Sequence, residues 1–227
     1  MKNLLDKEWK LCMNPQAYIF MFFGFFALIP DYPLFIIPVF FLSSIPTIVA
    51  FAKEANDIFY TATLPIKRND VPKSKIIFFA SIELAFILIS GVFIFISYLL
   101  MKYQIIPNGD GTFYTKNSTG MNPNITVFGI YLITFGLFNL IFSPLWYRKP
   151  EKFALAYFTA LFISMIVACI LGTLPLIFTD VDKYFNLLTN DNWYFQLVFL
   201  VISIGIFILL NYLAIILSRK KFKKLDI

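Results

Sequence analysis

The chain has 227 residues, of which 59% are hydrophobic and only 14% charged, with a formal net charge of +6 and a mean hydropathy of +0.78. Too little polar surface remains to cover a soluble core, which excludes a water-soluble globular domain and predicts an all-α, polytopic membrane protein. Histidine is absent, and Cys12 and Cys169 share no C-x-x-C or metal-ligand spacing, so neither a disulfide framework nor a zinc site is indicated and both cysteines read as buried small hydrophobes.

In chain order, Leu4, Leu5, Trp9 and Leu11 alternate with Lys2, Lys7 and Lys10, which predicts an interfacial helix within residues 1–15. Six apolar runs follow, at about 16–30, 34–51, 76–101, 125–146, 153–178 and 195–217, each read as a transmembrane helix rather than a barrel strand of about ten residues. The first run is short. From Ala17 to Ile29 it supplies 13 apolar residues, about 20 Å of helix against a hydrocarbon core of about 30 Å. It therefore starts earlier, thins the bilayer, or dips in and returns. No small-x-small cleavage site follows it, so the first span is expected to serve as its own insertion signal. No internal repeat is evident, and residues 1–227 read as a single transmembrane domain.

Between spans two and three, residues 53–75 form a polar, basic loop with an apolar centre. Asn56 or Asp57 would cap a first turn, Ile58, Phe59 and Ala62 make one stripe, and Pro65 ends it, giving about two turns of amphipathic helix. Ile58, Phe59 and Tyr60 inside charged flanks suit the docking of a soluble partner; the alternative is a solvated connector demanded by topology alone. Span three carries Glu83, the sole ionisable residue inside a span, which either lines a path for cationic cargo or pairs with a lysine or amide of a neighbouring span. Pro38, Pro46, Pro144 and Pro175 interrupt spans two, four and five as hinges or static bends. Asn139 and Asn211 are candidate interhelical hydrogen-bonding groups. Residues 102–124 and 179–194 read as the extracellular segments, the first with Asn108-Gly-Asp-Gly and Asn117-Ser-Thr-Gly turns, the second with Val181, Tyr184, Phe185 and Leu188 at helical spacing. The tail Arg219-Lys-Lys-Phe-Lys-Lys224 reads as an anchor to anionic lipids.

Charge sets the orientation. With residues 16–51 as a hairpin, sixteen of the nineteen basic residues fall on one side and only Lys102, Lys116 and Lys183 on the other. Merging the first two spans would leave six inside and thirteen outside, against the positive-inside rule. The hairpin is therefore retained, with both termini cytoplasmic; a re-entrant hairpin satisfies the same parity. Trp9 and Trp146 at the inner boundary and Trp193 at the outer one fit that frame.

Two motifs carry a family resemblance. Asn56-Asp-Ile-Phe-Tyr-Thr-Ala-Thr-Leu-Pro-Ile-Lys-Arg68, followed by Asp70, resembles the cytoplasmic loop of type-2 ABC exporter permeases. Gly120-Met-Asn-Pro-Asn-Ile-Thr-Val-Phe-Gly129, continuing through Phe138-Asn-Leu-Ile-Phe-Ser-Pro-Leu-Trp-Tyr147, resembles the fourth span of the small bacterial members that export amphipathic toxin or antimicrobial peptides, such as the phenol-soluble modulin exporters. The resemblance implies a multi-pass subunit of the bacterial plasma membrane. It makes the loop a coupling helix seated in a groove of a separate ATPase subunit, with Asn56, Asp57, Ile58, Phe59, Tyr60, Thr61, Leu64, Pro65, Lys67 and Arg68 at the contact, and it implies a second permease, identical or sister, to complete the path. Val71-Pro72 departs from the family's two apolar residues; a proline is tolerated in a helix's first turn, so only the start of span three is affected.

The chain contains no G-x-x-x-x-G-K-[ST], so ATP and magnesium are expected on the partner ATPase, with no catalytic residue, cofactor, metal or nucleic acid bound here. The competing classes are a membrane-embedded enzyme, such as a lipid-modifying transferase, and a non-transporting immunity or assembly protein. The enzyme needs clustered carboxylates or histidines near the membrane, and only one intramembrane carboxylate is present.

Overall fold

The computed structural model describes residues 2–13, 15–54, 69–107, 112–186 and 193–223. Among these there is no strand. The helices are α1 (Lys2–Cys12), α2 (Pro15–Met21), α3 (Ile37–Leu42), α4 (Ser44–Glu54), α5 (Asp70–Lys102), α6 (Ile125–Arg148), α7 (Phe153–Ile177), α8 (Thr179–Phe185) and α9 (Trp193–Phe222), with 3-10 turns at Phe22–Leu28, Leu34–Ile36 and Pro150–Lys152. Among the described residues five stretches are long and apolar enough to cross a membrane: Leu34–Ala52, Asp70–Lys102, Ile125–Arg148, Pro150–Ile177 and Trp193–Phe222. A sixth is reached only by joining Leu4–Cys12 to Pro15–Leu28, which meet at 92°.

The first apolar run is where structure and sequence part. Instead of one helix over 16–30, α2 gives way after Met21 to seven residues of 3-10 helix, and the right-angled turn before Pro15 removes an earlier start. The tighter winding adds length, about 2.0 Å per residue against 1.5 Å. Gly24 allows that turn to lie against α5, because a Cβ there would stand 2.6 Å from the Ser90 backbone. Pro38 and Pro46 do not kink a continuous span two; each sits in the first turn of its own helix, α3 and α4, with the break at Ser43 between them. Pro144 and Pro175 do lie inside helices, α6 and α7. At span three the helix begins at Asp70, six residues before the apolar run, with Pro72 in its first turn and Asp70 complementing the helix dipole.

The strongest helix contact is between α6 and α9, and small residues permit it. A Cβ on Gly129 would stand 2.8 Å from Ser203 Oγ, and one on Gly136 would stand 3.4 Å from Phe207 Cα. With no hydrophobic drive between helices in lipid, such backbone proximity supplies the attraction. Phe41 and Phe86 stack at 4.5 Å in the centre, with Phe135 edge-on to both. The outside is apolar instead: Leu88, Val92 and Phe95 of α5, Phe158, Phe162 and Ile166 of α7, and Val201, Ile208 and Tyr212 of α9 are exposed, a belt far larger than water-soluble monomers carry.

Candidate functional site

The loop residues singled out by sequence, Asn56, Asp57, Ile58, Phe59, Tyr60, Thr61, Leu64, Pro65, Lys67 and Arg68, lie outside the described residues, as do Leu188, Lys224 and the turn at 108–111. The structure does describe the base on which that loop is mounted. Glu54 ends α4 and Asp70 begins α5. Arg219 of α9 donates from Nε to the Asn69 carbonyl at 3.0 Å and faces the Asp70 carboxylate at 3.8 Å. One turn further along α5, Lys75 reaches across to α1 and meets Glu8 Oε2 at 2.6 Å, while Lys7 holds the other Glu8 oxygen at 3.0 Å and the Cys12 thiol donates to Oε2 at 3.1 Å. Glu8 is 1% exposed and Lys75 4%. Charges buried that far persist only when paired, so α1 is clamped to the foot of α5. Trp9 packs edge-on to Phe78 at 5.4 Å and adds to the clamp.

About 20 Å up the same helix from Asp70, Glu83 lies at 0% exposure. Asn139 Nδ2 of α6 donates to its Oε2 at 2.8 Å and to Asn211 Oδ1 of α9 at 3.0 Å, and Asn211 Nδ2 donates to the Phe207 carbonyl at 2.9 Å. Three residues picked out singly along the sequence are thus one cluster, and the partner of Glu83 is an amide of a neighbouring span. Glu83 Oε1, Asn139 Oδ1 and Ser143 Oγ, one turn along α6, have no hydrogen-bond partner.

The opposite end of the bundle is closed by a polar cap. Asn117 Nδ2 donates to the Tyr32 carbonyl, Ser118 donates to Asp31, and the Asn122 backbone N–H donates to Asn186 Oδ1 at 2.6 Å. Asn186 Nδ2 in turn donates to the Gly120 carbonyl and to Asp182 Oδ1. Gly120 has φ +139°, and a Cβ there would strike the Gly172 carbonyl at 2.5 Å. Lys116 and Asp182 pair at 2.7 Å on the rim. Burial alone would raise the Asp182 carboxyl, but the hydrogen bonds from Lys116 and Asn186 and the Lys116 charge outweigh it and hold the group below its ordinary value. Sequence reading found the turns of this segment but missed the cap; its signal was the density of asparagine at 117, 122 and 124.

Among the described residues no group of three or more cysteine, aspartate or glutamate side chains is placed to hold a metal ion. The chain matches no family model, no curated protein and no solved structure.

Proposed function

We propose that the chain is the membrane-spanning permease of an ATP-driven ABC exporter of amphipathic peptides, with both termini cytoplasmic and ATP hydrolysed on a separate subunit. The observation that carries this reading is mechanical. Loop 55–68 joins the foot of a 33-residue unbroken helix, α5, clamped there to α1 by the Glu8–Lys75 pair and to α9 by Arg219. Force applied to the loop is delivered to Glu83 and the central cluster without a hinge between. The polar cap at the far end supports a resting state closed to the outside, and the 16-to-3 split of basic residues supports the orientation. A motor on the basic side and a closed gate opposite are the two parts that alternating access requires. The resemblance of residues 56–68 to a coupling helix supports an ATPase as the motor.

The test is Phe59→Ala. A short amphipathic helix gains its order by burying its apolar face in a partner, and truncating such an anchor costs on the order of 2 kcal/mol of binding. The variant is expected to accumulate in the membrane at the normal level and to lose an ATPase subunit on purification, scored by mass spectrometry for a nucleotide-binding chain. Purification from native membranes with no such subunit on either protein would end this reading.

A further inference from the structure

Glu83 is a fully buried carboxylate whose one hydrogen-bond donor among the described residues is a neutral amide. The amide orientation is fixed: Asn139 Nδ2 spends both hydrogens on Glu83 Oε2 and Asn211 Oδ1, and exchanging its oxygen and nitrogen would set oxygen against two oxygens. Two pure acceptors, Glu83 Oε1 and Asn139 Oδ1, and the Ser143 hydroxyl are left without partners. A buried acceptor left so is destabilising, and an uncompensated carboxylate far more so.

No cation of the chain is positioned to answer that charge among the described residues. On α5 the nearest is Lys75, eight residues or about 12 Å away and held by Glu8. On α6 it is Arg148, nine residues from Asn139, and on α9 it is Arg219, eight from Asn211 and directed to Asn69. The 3-10 turn Phe22–Leu28 packed on α5 has no titratable side chain, α2 has only Tyr18, and the described charges of α1 (Asp6, Lys7, Glu8 and Lys10) belong to the basic end. Tyr131, eight residues from Asn139, gives its hydroxyl to the Leu34 carbonyl, and Tyr212 is exposed.

We propose that Glu83, Asn139 and Ser143 form the binding site of a small monovalent cation, H+ or Na+, that neutralises the carboxylate inside the bundle. All three open positions are oxygens, the donor set of a hard cation. A proton on Oε1 turns one acceptor into a donor, and a sodium ion draws on several oxygens at once. The cation arrives from the basic end, toward which the partnerless hydroxyls of Ser143 and Ser218 lie on α6 and α9. The site belongs to this chain and holds whether or not an ATPase drives it, so its failure and that of the permease reading are separate results.

The experiment uses the full chain in lipid nanodiscs, labelled with 13C-glutamate. If the cation is a proton, the infrared spectrum at neutral pH without sodium contains an isotope-shifted carboxylic-acid carbonyl band, absent in Glu83→Gln. If it is sodium, replacing choline by sodium at constant ionic strength raises the unfolding temperature saturably in wild type and not in Glu83→Gln. Should Glu83→Gln fail to fold, Glu83→Asp removes the labelled carbonyl and so assigns the band, and its shorter carboxylate, set back from Asn139, shifts the midpoint of the sodium response. An ionised Glu83 at neutral pH in sodium-free buffer, together with an unfolding temperature indifferent to sodium, would overturn the proposal.

Discussion

Gly172→Ala tests the packing that closes the capped end. A Cβ at this position would lie 2.2 Å from Phe35 Cγ and Cδ1 and 2.5 Å from Phe35 Cβ. Because the Phe35 Cβ is itself in the way, rotating the ring cannot clear the overlap; the segment Leu34–Ile36 has to move. That segment is held by the buried hydrogen bond from Tyr131 Oη to the Leu34 carbonyl, 2.9 Å. Overpacking of this kind costs about 1–3 kcal/mol, and losing the tyrosine bond adds about 1 kcal/mol, so the substitution is expected to destabilise by roughly 2–4 kcal/mol. Phe35→Ala alone should cost about 2 kcal/mol, because in lipid the transfer term largely cancels and what remains is a cavity of about 100 Å³ at about 24 cal/mol per Å³. In the double variant the new methyl enters the space the ring has left, while the retained Cβ limits the relief. The pair should therefore be less destabilised than the sum, by about 1–2 kcal/mol. Denaturant unfolding in mixed micelles, followed by tryptophan fluorescence and circular dichroism, measures all four corners of the cycle. A neutral Gly172→Ala, or strict additivity, would refute the contact.

Asn186→Ala should be more damaging than its place at the end of the short helix α8 suggests: it orphans the buried Asn122 N–H and the Gly120 carbonyl, at about 1–3 kcal/mol each, and amide exchange at residues 117–122 should accelerate. The Lys116–Asp182 pair should matter much less, since the lysine side chain is 53% exposed, and Lys116→Met is expected to cost less than about 1 kcal/mol at neutral pH. Because Asp182 is held below its ordinary value, the pair's contribution is present above the unfolded carboxylate value of about 3.9 and is lost as pH falls through the folded one; unfolding curves of wild type and Lys116→Met should converge at acid pH. For topology, cysteines at the exposed positions Asn69 and Thr115, in a background lacking Cys12 and Cys169, should react with an impermeant maleimide from opposite sides of the membrane, and labelling of both from one side would discard the hairpin arrangement.

The helical class and most span positions were legible because apolar runs of twenty or more residues admit few other structures. The run 125–146 became α6, Ile125–Arg148, and 195–217 became α9, Trp193–Phe222. What escaped was whatever depends on residues far apart in sequence. Glu8 and Lys75 are 67 positions apart, and nothing local distinguishes that glutamate from any other on an amphipathic helix. The cap was hidden for the same reason, since Asn122 and Asn186 are 64 apart. The first run failed differently. Its thirteen apolar residues gave a length problem without saying which remedy the chain adopts, and the 3-10 winding depends on Gly24 meeting Ser90, a tertiary contact.

The two polar features of α5 constrain one another. A 33-residue helix is about 50 Å long and moves as a body unless something breaks it, and its only proline, Pro72, lies in the first turn, where it breaks nothing. The Glu8–Lys75 clamp below and the Asn139 hydrogen bond to Glu83 above are therefore fastened to a single rigid part. If α5 tilts or slides, the Glu83–Asn139–Asn211 cluster has to shear, and the open oxygens of Glu83 and Asn139 change their separation at once. Inserting a flexible pair by Ser81→Gly and Ile82→Gly between clamp and cluster should decouple the two ends. Glu83 accessibility to carboxyl reagents should then stop responding to cross-linking of α1 to α5 through Trp9→Cys and Phe78→Cys, a pair placed by the ring contact at 5.4 Å. A response unchanged by the glycines would mean that the signal travels through α6 or α9 instead.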